Sequence, residues 1–224
     1  MKRRVIKTAD GSSTIFIEDW DENYHSKHGA IQEAYHVFLK MGLYHHLEQY
    51  NVENEIKILE IGFGTGLNAL ITYLEAVKNN LFVDYHGVEG YPVLASEVEQ
   101  LNYIERLSAQ NEKDQFNKMH ETSWDEYFKL SDQFRMIKRK QFFNEIDDQN
   151  VFDLIYFDAF GARVQPELWT EEIFQRMYNA LKSGGVLVTY AAKGSVRRAM
   201  IACGFSVEKL PGPPGKREML RATK

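Results

Sequence analysis

Residues 56–68 read IKILEIGFGTGLN. A short apolar run ends in glycines, the pattern of a strand buried on both faces that turns sharply into a helix. Glycines tolerate positive φ and let the backbone approach a ligand closely. The spacing is G-x-G-x-G, whereas dinucleotide-binding loops use G-x-G-x-x-G. By itself this loop does not decide between nucleotide cofactors.

Outward from it the chain alternates between strand and helix patterns. Residues 66–79 read as a helix, 81–89 as a second strand, 92–107 as a helix opened by Pro92, and 115–120 as a weak third strand. Residues 122–130 look like a helix capped by Thr122 or Ser123, and the charged stretch 131–150 like a surface excursion. VFDLIYFDAF (151–160) is the strongest strand signal. A helix over 166–181, a strand over 185–191, a helix from about 194 to 203 and a terminal hairpin (205–210 with 217–222) complete the pattern. Such alternation predicts an α/β fold with a mostly parallel, doubly wound sheet, whose ligands sit at the carboxyl ends of the strands. Upstream, residues 3–8 and 14–18 predict a β-hairpin, 19–30 an irregular segment and 31–50 a helix. The expected organisation is an N-terminal extension, 1–50, packed on a main domain, 51–224.

The 224-residue chain carries 44% apolar and 26% charged residues, ordinary globular values that fit one α/β domain. No apolar run approaches the roughly 18 residues of a membrane span. The opening MKRRVIKTADGSS lacks the apolar centre of a secretory signal. Cys203 is the one cysteine, so no internal disulfide forms. Together these predict a cytoplasmic protein. The net charge of −5 argues against a wholly basic nucleic-acid-binding surface. RNA binding would need a local patch, and the candidates are 2–7, 135–140, Arg197–Arg198 and Lys216–Arg217, each also readable as a solvated face. Five of the seven histidines lie between 25 and 46, but adjacent His45 and His46 cannot share a helix face, and no metal site is expected.

Two carboxylates stand where ligands are expected. Glu89, at the end of the second strand, suits hydrogen bonds from both ribose hydroxyls of a nucleoside. It would serve a nicotinamide dinucleotide as well as S-adenosylmethionine, and an exposed strand-end glutamate is the bland alternative. Asp158 follows the run LIYF and heads Asp158-Ala159-Phe160, a poor place for a surface charge; capping the next loop is its alternative role.

Glu60 before the loop and Gly-Thr-Gly within it resemble motif I of class I methyltransferases. More of the chain is similar to the MnmC methyltransferase-domain family. The matching pieces are 21–26 followed by QEAYHVFL (32–39), GFGTGLN (62–68), Glu89 with Pro92, Asp158-Ala159-Phe160 with PELWT (166–170), GSVRR (194–198), and Gly204-Phe205 with GKREML (215–220). Their order and spacing are more specific than any one of them. The chain departs from the family at Gly161, where a proline is usual, and at His36, where an aromatic residue is expected.

The resemblance implies a class I, Rossmann-like fold with a seven-stranded sheet and helices on both faces. It also implies methyl transfer from S-adenosylmethionine to the amine of 5-aminomethyl-2-thiouridine at the tRNA wobble position, giving 5-methylaminomethyl-2-thiouridine. The chain looks like a stand-alone form without an oxidase domain, so a separate enzyme would supply the aminomethyl group. In this reading Glu60, Gly62, Phe63, Gly64, Thr65, Gly66, Asn68, Glu89 and Asp158 bind the cofactor. Trp124 flanks the adenine or is simply a core aromatic. Asp158 is the catalytic candidate, orienting the amine and helping to take its proton. Tyr24, Phe160 and Trp169 face the substrate base, and Arg197, Arg198, Lys216 and Arg217 face phosphates. The irregular segment holding Tyr24, His25 and His28 is placed to fold over the pocket. A methyltransferase acting on a small-molecule or protein amine, a nicotinamide oxidoreductase (disfavoured by the glycine spacing) and a non-catalytic binding module are the competing readings.

Overall fold

The computed structural model describes residues 2–50 and 55–224. The expected division after residue 50 runs into residues 51–54, which lie outside the described residues.

The chain opens with β1 (Arg3–Lys7) and β2 (Ser13–Ile17), an antiparallel pair to which the short β3 (Glu22–Asn23) is added. Helix α1 follows as one continuous run, α-helical over Ala30–Ala34, π-helical over Tyr35–Tyr44 and α-helical again over His45–Gln49. Next come β4 (Glu55–Ile61), α2 (Leu67–Asn79), β5 (Phe82–Val88), the short helices α3 (Ala95–Val98) and α4 (Tyr103–Arg106), and α5 (Lys113–Glu121). Strands β6 (Tyr127–Lys129), β7 (Phe134–Arg139) and β8 (Phe152–Phe157) lead into α6 (Glu171–Ala180) and β9 (Leu181–Thr189). Helix α7 (Gly194–Ala202) and the hairpin β10 (Ser206–Pro211) and β11 (Glu218–Thr223) close the chain.

The main sheet has the order β10-β11-β9-β8-β4-β5-β7-β6. Strands β9, β8, β4, β5 and β7 run parallel, while β11 and β6 pair antiparallel with their inner neighbours. The doubly wound α/β class is therefore as expected, with eight strands rather than seven because β6 adds an edge. One face of the sheet, through Ile58, Tyr85, Met136 and Tyr156, packs on α1 and α2. The other, through Leu59, Ile155, Phe157 and Leu187, packs on α6 and α7. This double coverage is why β4 and β8 read as largely apolar runs. Gly42 lets α1 lie close to the sheet, since a Cβ there would stand 2.9 Å from Val188 Cγ2.

Four expectations are corrected. The helix expected over 92–107 is two short helices. The Asn102 side chain accepts from the Ser13 N–H and donates to the Gly11 carbonyl, which anchors the break to the N-terminal hairpin. Residues 115–120 belong to helix α5, where Phe116 and Met119, three residues apart, face the core. The third parallel strand is β7, inside the stretch expected to be a surface excursion, and 122–130 is a turn and the edge strand β6 rather than a helix. In β7, Phe134, Met136 and Lys138 all point inward. Lys138, 1% exposed, hides the two-residue period. Its Nζ donates to the His120 carbonyl at 2.8 Å and lies 4.9 Å from the Trp124 ring centre. Burial lowers its pKa to about 8.

The inward strand position of Phe134 is testable. Phe134→Ala should cost roughly 3–5 kcal/mol in urea denaturation, against about 0.5 kcal/mol or less for a residue on a surface excursion.

Candidate active site

The strand order reverses at β4, whose neighbours β5 and β8 lie on opposite sides. Such a switch point opens a crevice at the carboxyl ends of the strands. Here the two loops touch. The Asp158 N–H donates to the Ile61 carbonyl at 2.9 Å, and a Cβ on Gly62 would stand 2.7 Å from the Asp158 carbonyl oxygen. Gly62, Gly64 and Gly66 have φ of +91°, +49° and +72°. The Gly62 and Phe63 N–H groups both donate to the Val88 carbonyl at 3.0 Å, which pins the loop to the end of β5.

A cavity of about 400 Å³ lies over this loop. Glu89 forms one wall. Its Oε2 accepts from the Gly64 N–H at 3.0 Å and its Oε1 from the Tyr91 N–H at 2.8 Å. A carboxylate has about four acceptor positions, so Glu89 keeps acceptor capacity for a hydroxyl donor. Burial raises the Glu89 pKa, and the N–H groups of Tyr91 and Gly64 oppose the rise. Asp158 forms the inner end. Its Oδ2 accepts from Asn68 Nδ2 at 2.8 Å. Burial raises its pKa to about 7, the Glu33 charge adds to this, and the Asn68 bond and Lys216 charge work against it.

The roof comes from the N-terminal segment. The Phe160 ring meets those of Tyr24 and Trp20 edge-on at 4.9 and 5.5 Å. Arg163 holds the two sides together: its Nη2 lies 2.9 Å from Glu22 Oε2 and from the Asp21 carbonyl oxygen. Arg3 donates to Tyr24 Oη at 3.2 Å, and burial pushes the Tyr24 hydroxyl up to about 12.

The structure brings Gly62, Phe63, Gly64, Thr65, Asn68, Glu89, Asp158, Tyr24 and Phe160 to the cavity. Gly66 is at its back, closing the turn into α2. Other candidates lie elsewhere. Glu60 is fully buried on the Tyr85 face of the sheet and accepts from Tyr85 Oη at 2.9 Å; it lies behind Asn68 rather than against a ligand. Trp124 precedes the third parallel strand instead of following it, and its ring packs edge-on to Phe63, 6.2 Å away. Trp169 is buried against Phe157, and its Nε1 donates to the Phe160 carbonyl at 2.7 Å. It braces the substrate loop and offers the cavity no free face.

Lys216 is held in an ion pair with Glu33 and lies 3.7 Å from the Tyr190 ring centre, so its charge is already engaged. Arg198 and Arg217 are exposed and Arg197 is half-buried, all three outside the cavity lining. His25 joins the cavity, whereas His28 lies against Gly215. Sequence reasoning missed Trp20, Tyr91, Phe142 and Asn144, which also line it. The last two could have been found by placing the third strand at FRMIKR, because a loop leaving that strand reaches the same crevice.

A family model described as S-adenosyl-L-methionine-dependent methyltransferase matches residues 105–224. The chain belongs to this methyltransferase family. It is 30% identical over 217 residues to the tRNA 5-methylaminomethyl-2-thiouridine biosynthesis bifunctional protein MnmC of Leptospira interrogans, covering 91% of this chain and 32% of that protein. The protein of the same name from Aliivibrio fischeri is 29% identical over 233 residues, covering 95% and 34%. The chain thus spans about a third of the length of these relatives. Among solved structures, MnmC2 from Aquifex aeolicus superposes with a TM-score of 0.74 at 24% identity, covering 99% of this chain and 70% of that one. Spermidine synthase from Thermotoga maritima reaches 0.53 at 18% identity, covering 100% and 73%. These superpositions show the shared Rossmann-like fold.

The cofactor of a methyltransferase of this family is S-adenosylmethionine, and the pocket fits it. The positive-φ glycines leave a cradle that side chains would fill, and Glu89 keeps acceptor capacity for a ribose hydroxyl. Gly62→Ala should weaken S-adenosylhomocysteine binding at least tenfold by calorimetry. It places a Cβ against the Asp158 carbonyl and imposes a left-handed backbone costing about 1–2 kcal/mol.

Proposed function

We propose that this methyltransferase transfers a methyl group to the primary amine of 5-aminomethyl-2-thiouridine in tRNA, giving 5-methylaminomethyl-2-thiouridine. The observation that carries this reading is Asp158, a half-buried carboxylate beside the glycine loop, held by Asn68, whose pKa is raised to about 7. The likeness over nine-tenths of the chain to proteins named for that nucleoside's biosynthesis supplies the substrate.

When bound, S-adenosylmethionine supplies a methyl group already activated by a positive sulfonium. The protein's part is alignment, water exclusion and proton handling. Gly62–Gly66 and Glu89 hold the cofactor's methionine and ribose ends. Phe142 and Tyr91, whose rings are 5.7 Å apart beyond Glu89, flank the adenine, and Trp124 keeps its alternative role as a core aromatic. Asp158, oriented by Asn68, accepts a hydrogen bond from the incoming amine, turns its lone pair toward the methyl group and takes the proton released as the N–C bond forms. Phe160 with Tyr24 and Trp20 offers an aromatic wall for an unstacked pyrimidine.

Arg198 and Arg217 are the phosphate contacts, and on a protein of net charge −5 they make binding salt-sensitive. In this reading residues 1–50 are an extension that completes a methyltransferase domain over 51–224. A separate activity supplies the aminomethyl group, and a tRNA substrate places the reaction in the cytoplasm. Among the described residues no helix is long and apolar enough to cross a membrane.

The direct test supplies S-adenosylmethionine and tRNA carrying the aminomethyl nucleoside, then analyses nucleosides by mass. Conversion to the methylaminomethyl form is expected. Binding of cofactor without conversion would move the search to small-molecule or protein amines.

Asp158→Asn should lower kcat roughly 100-fold and remove a rise in kcat/KM through about pH 7. The same change should stabilise the fold. A raised carboxyl pKa means that the folded state holds the proton more tightly, so wild-type stability falls as pH climbs from the ordinary aspartate range to about 7. The variant should exceed the wild type by roughly 2–4 kcal/mol at pH 8, with the gap closing toward pH 4.

A further inference from the structure

His25 stands at the junction of the N-terminal sheet and the glycine loop, and it belongs to neither the carboxylate pair nor the aromatic wall. Its backbone N–H donates to Thr14 Oγ1 at 3.1 Å, and its ring Nδ1 lies 3.0 Å from the same oxygen. On its other side Nε2 lies 3.4 Å from Thr65 Oγ1, in the middle of the Gly-Thr-Gly turn. Tyr103 Oη, from α4, donates to Thr65 Oγ1 at 3.0 Å.

The donors and acceptors can be assigned along this line. With Tyr103 donating to Thr65, the Thr65 hydroxyl proton is free to donate onward to Nε2, which must then be an acceptor. A neutral imidazole with an acceptor Nε2 carries its proton on Nδ1, and that proton meets Thr14 Oγ1. The line runs Tyr103 to Thr65 to His25 to Thr14, each hydrogen pointing the same way. Adding a second proton to His25 would set a donor against the Thr65 hydroxyl and reverse that end of it.

We propose that His25 is a positioning residue for the cofactor: as the neutral Nδ1–H tautomer it ties the Thr65 hydroxyl to the N-terminal sheet and holds the glycine loop in its cofactor-receiving shape. The inference rests on the reading of this cavity as the S-adenosylmethionine site. Burial supports it by pushing the His25 pKa down to about 4; the Asp10 charge works against that shift and the Lys216 charge adds to it. The groups facing the ring are Thr14 of β2, Thr65 of the loop and Tyr103 of α4, whose ring centre lies 6.3 Å from that of His25. None of the three carries a charge at neutral pH.

Two measurements test it. Long-range proton–nitrogen correlation spectra, with His25 assigned by difference from His25→Gln, should show a neutral ring protonated at Nδ1 throughout pH 6–8. An Nε2–H tautomer or a charged ring in that range would overturn the proposal. Calorimetry with S-adenosylhomocysteine should show His25→Leu binding about tenfold more weakly than wild type. The Gln variant, whose amide oxygen can replace the Nε2 acceptor, should stay within about threefold. Kinetically, the Leu variant should raise the cofactor KM while kcat at saturation changes less than about twofold.

Equal affinity of wild type and Leu variant, or an equal loss in Gln and Leu, would sink the idea. If His25→Leu does not fold, Thr65→Val removes the same contact from the other end and should show the same loss of affinity; wild-type affinity in Thr65→Val would count against the proposal. Absence of binding by the wild type itself would instead overturn the reading of the cavity.

Discussion

The contact between the ends of β4 and β8 is the constraint on which the site depends. Gly62 lies so close to the Asp158 carbonyl that a side chain there would have to displace backbone. One hydrogen bond, from the Asp158 N–H to the Ile61 carbonyl, fixes the two loops against each other. Because the loops meet here, Asp158 can reach Asn68 at the start of α2. The same approach buries its carboxyl and raises its pKa. Sheet topology, glycine chemistry and acid–base poise thus follow from one close approach.

The charge on the cavity then acquires a physical purpose. Glu89 and Asp158 line it and Glu60 lies directly behind Asn68, and burial raises the pKa of all three. Clustered acids in a low-dielectric space are costly while they face one another alone. A ligand bearing a positive sulfonium offsets that cost, and the neutral thioether left after methyl transfer offsets less of it.

Much of this was legible in the sequence, and the exceptions share a cause. IKILEIG and VFDLIYFDAF announce themselves because a strand buried on both faces is apolar at most positions, and the glycine spacing marks the turn between strand and helix. The strand FRMIKR does not announce itself, because Lys138 takes an inward position that only a carbonyl and an indole face make tolerable. Misplacing that strand also misplaced Trp124, since a residue's access to the crevice depends on which side of the strand it lies. Trp169 looked like a stacking surface because sequence shows an aromatic ring but not the direction in which its N–H must be satisfied. Lys216 looked like a free cation because its partner, Glu33, lies 183 residues away.

The N-terminal segment is the part whose role sequence reasoning could least define, and it closes the argument about mechanism. A sulfonium methyl group needs a site from which competing water is kept out, and the strand ends alone leave the crevice open on one side. Trp20, Tyr24 and His25 cover that side. Trp20 and Tyr24 are held by edge contacts to Phe160, by the exposed Arg163 bonds to Asp21 and Glu22 and by the Arg3 bond to Tyr24, and His25 by part-buried bonds to Thr14 and Thr65. A covering secured by a few polar bonds opens at lower free energy than the sheet beneath it. Trp20 and Tyr24 can therefore part from Phe160 while His25, the glycine loop, Asn68 and Asp158 stay in register, and on the proposed function this is where a nucleobase enters. Rigidity sits where the reacting atoms must be aligned, and the weaker bonds sit where the substrate must pass.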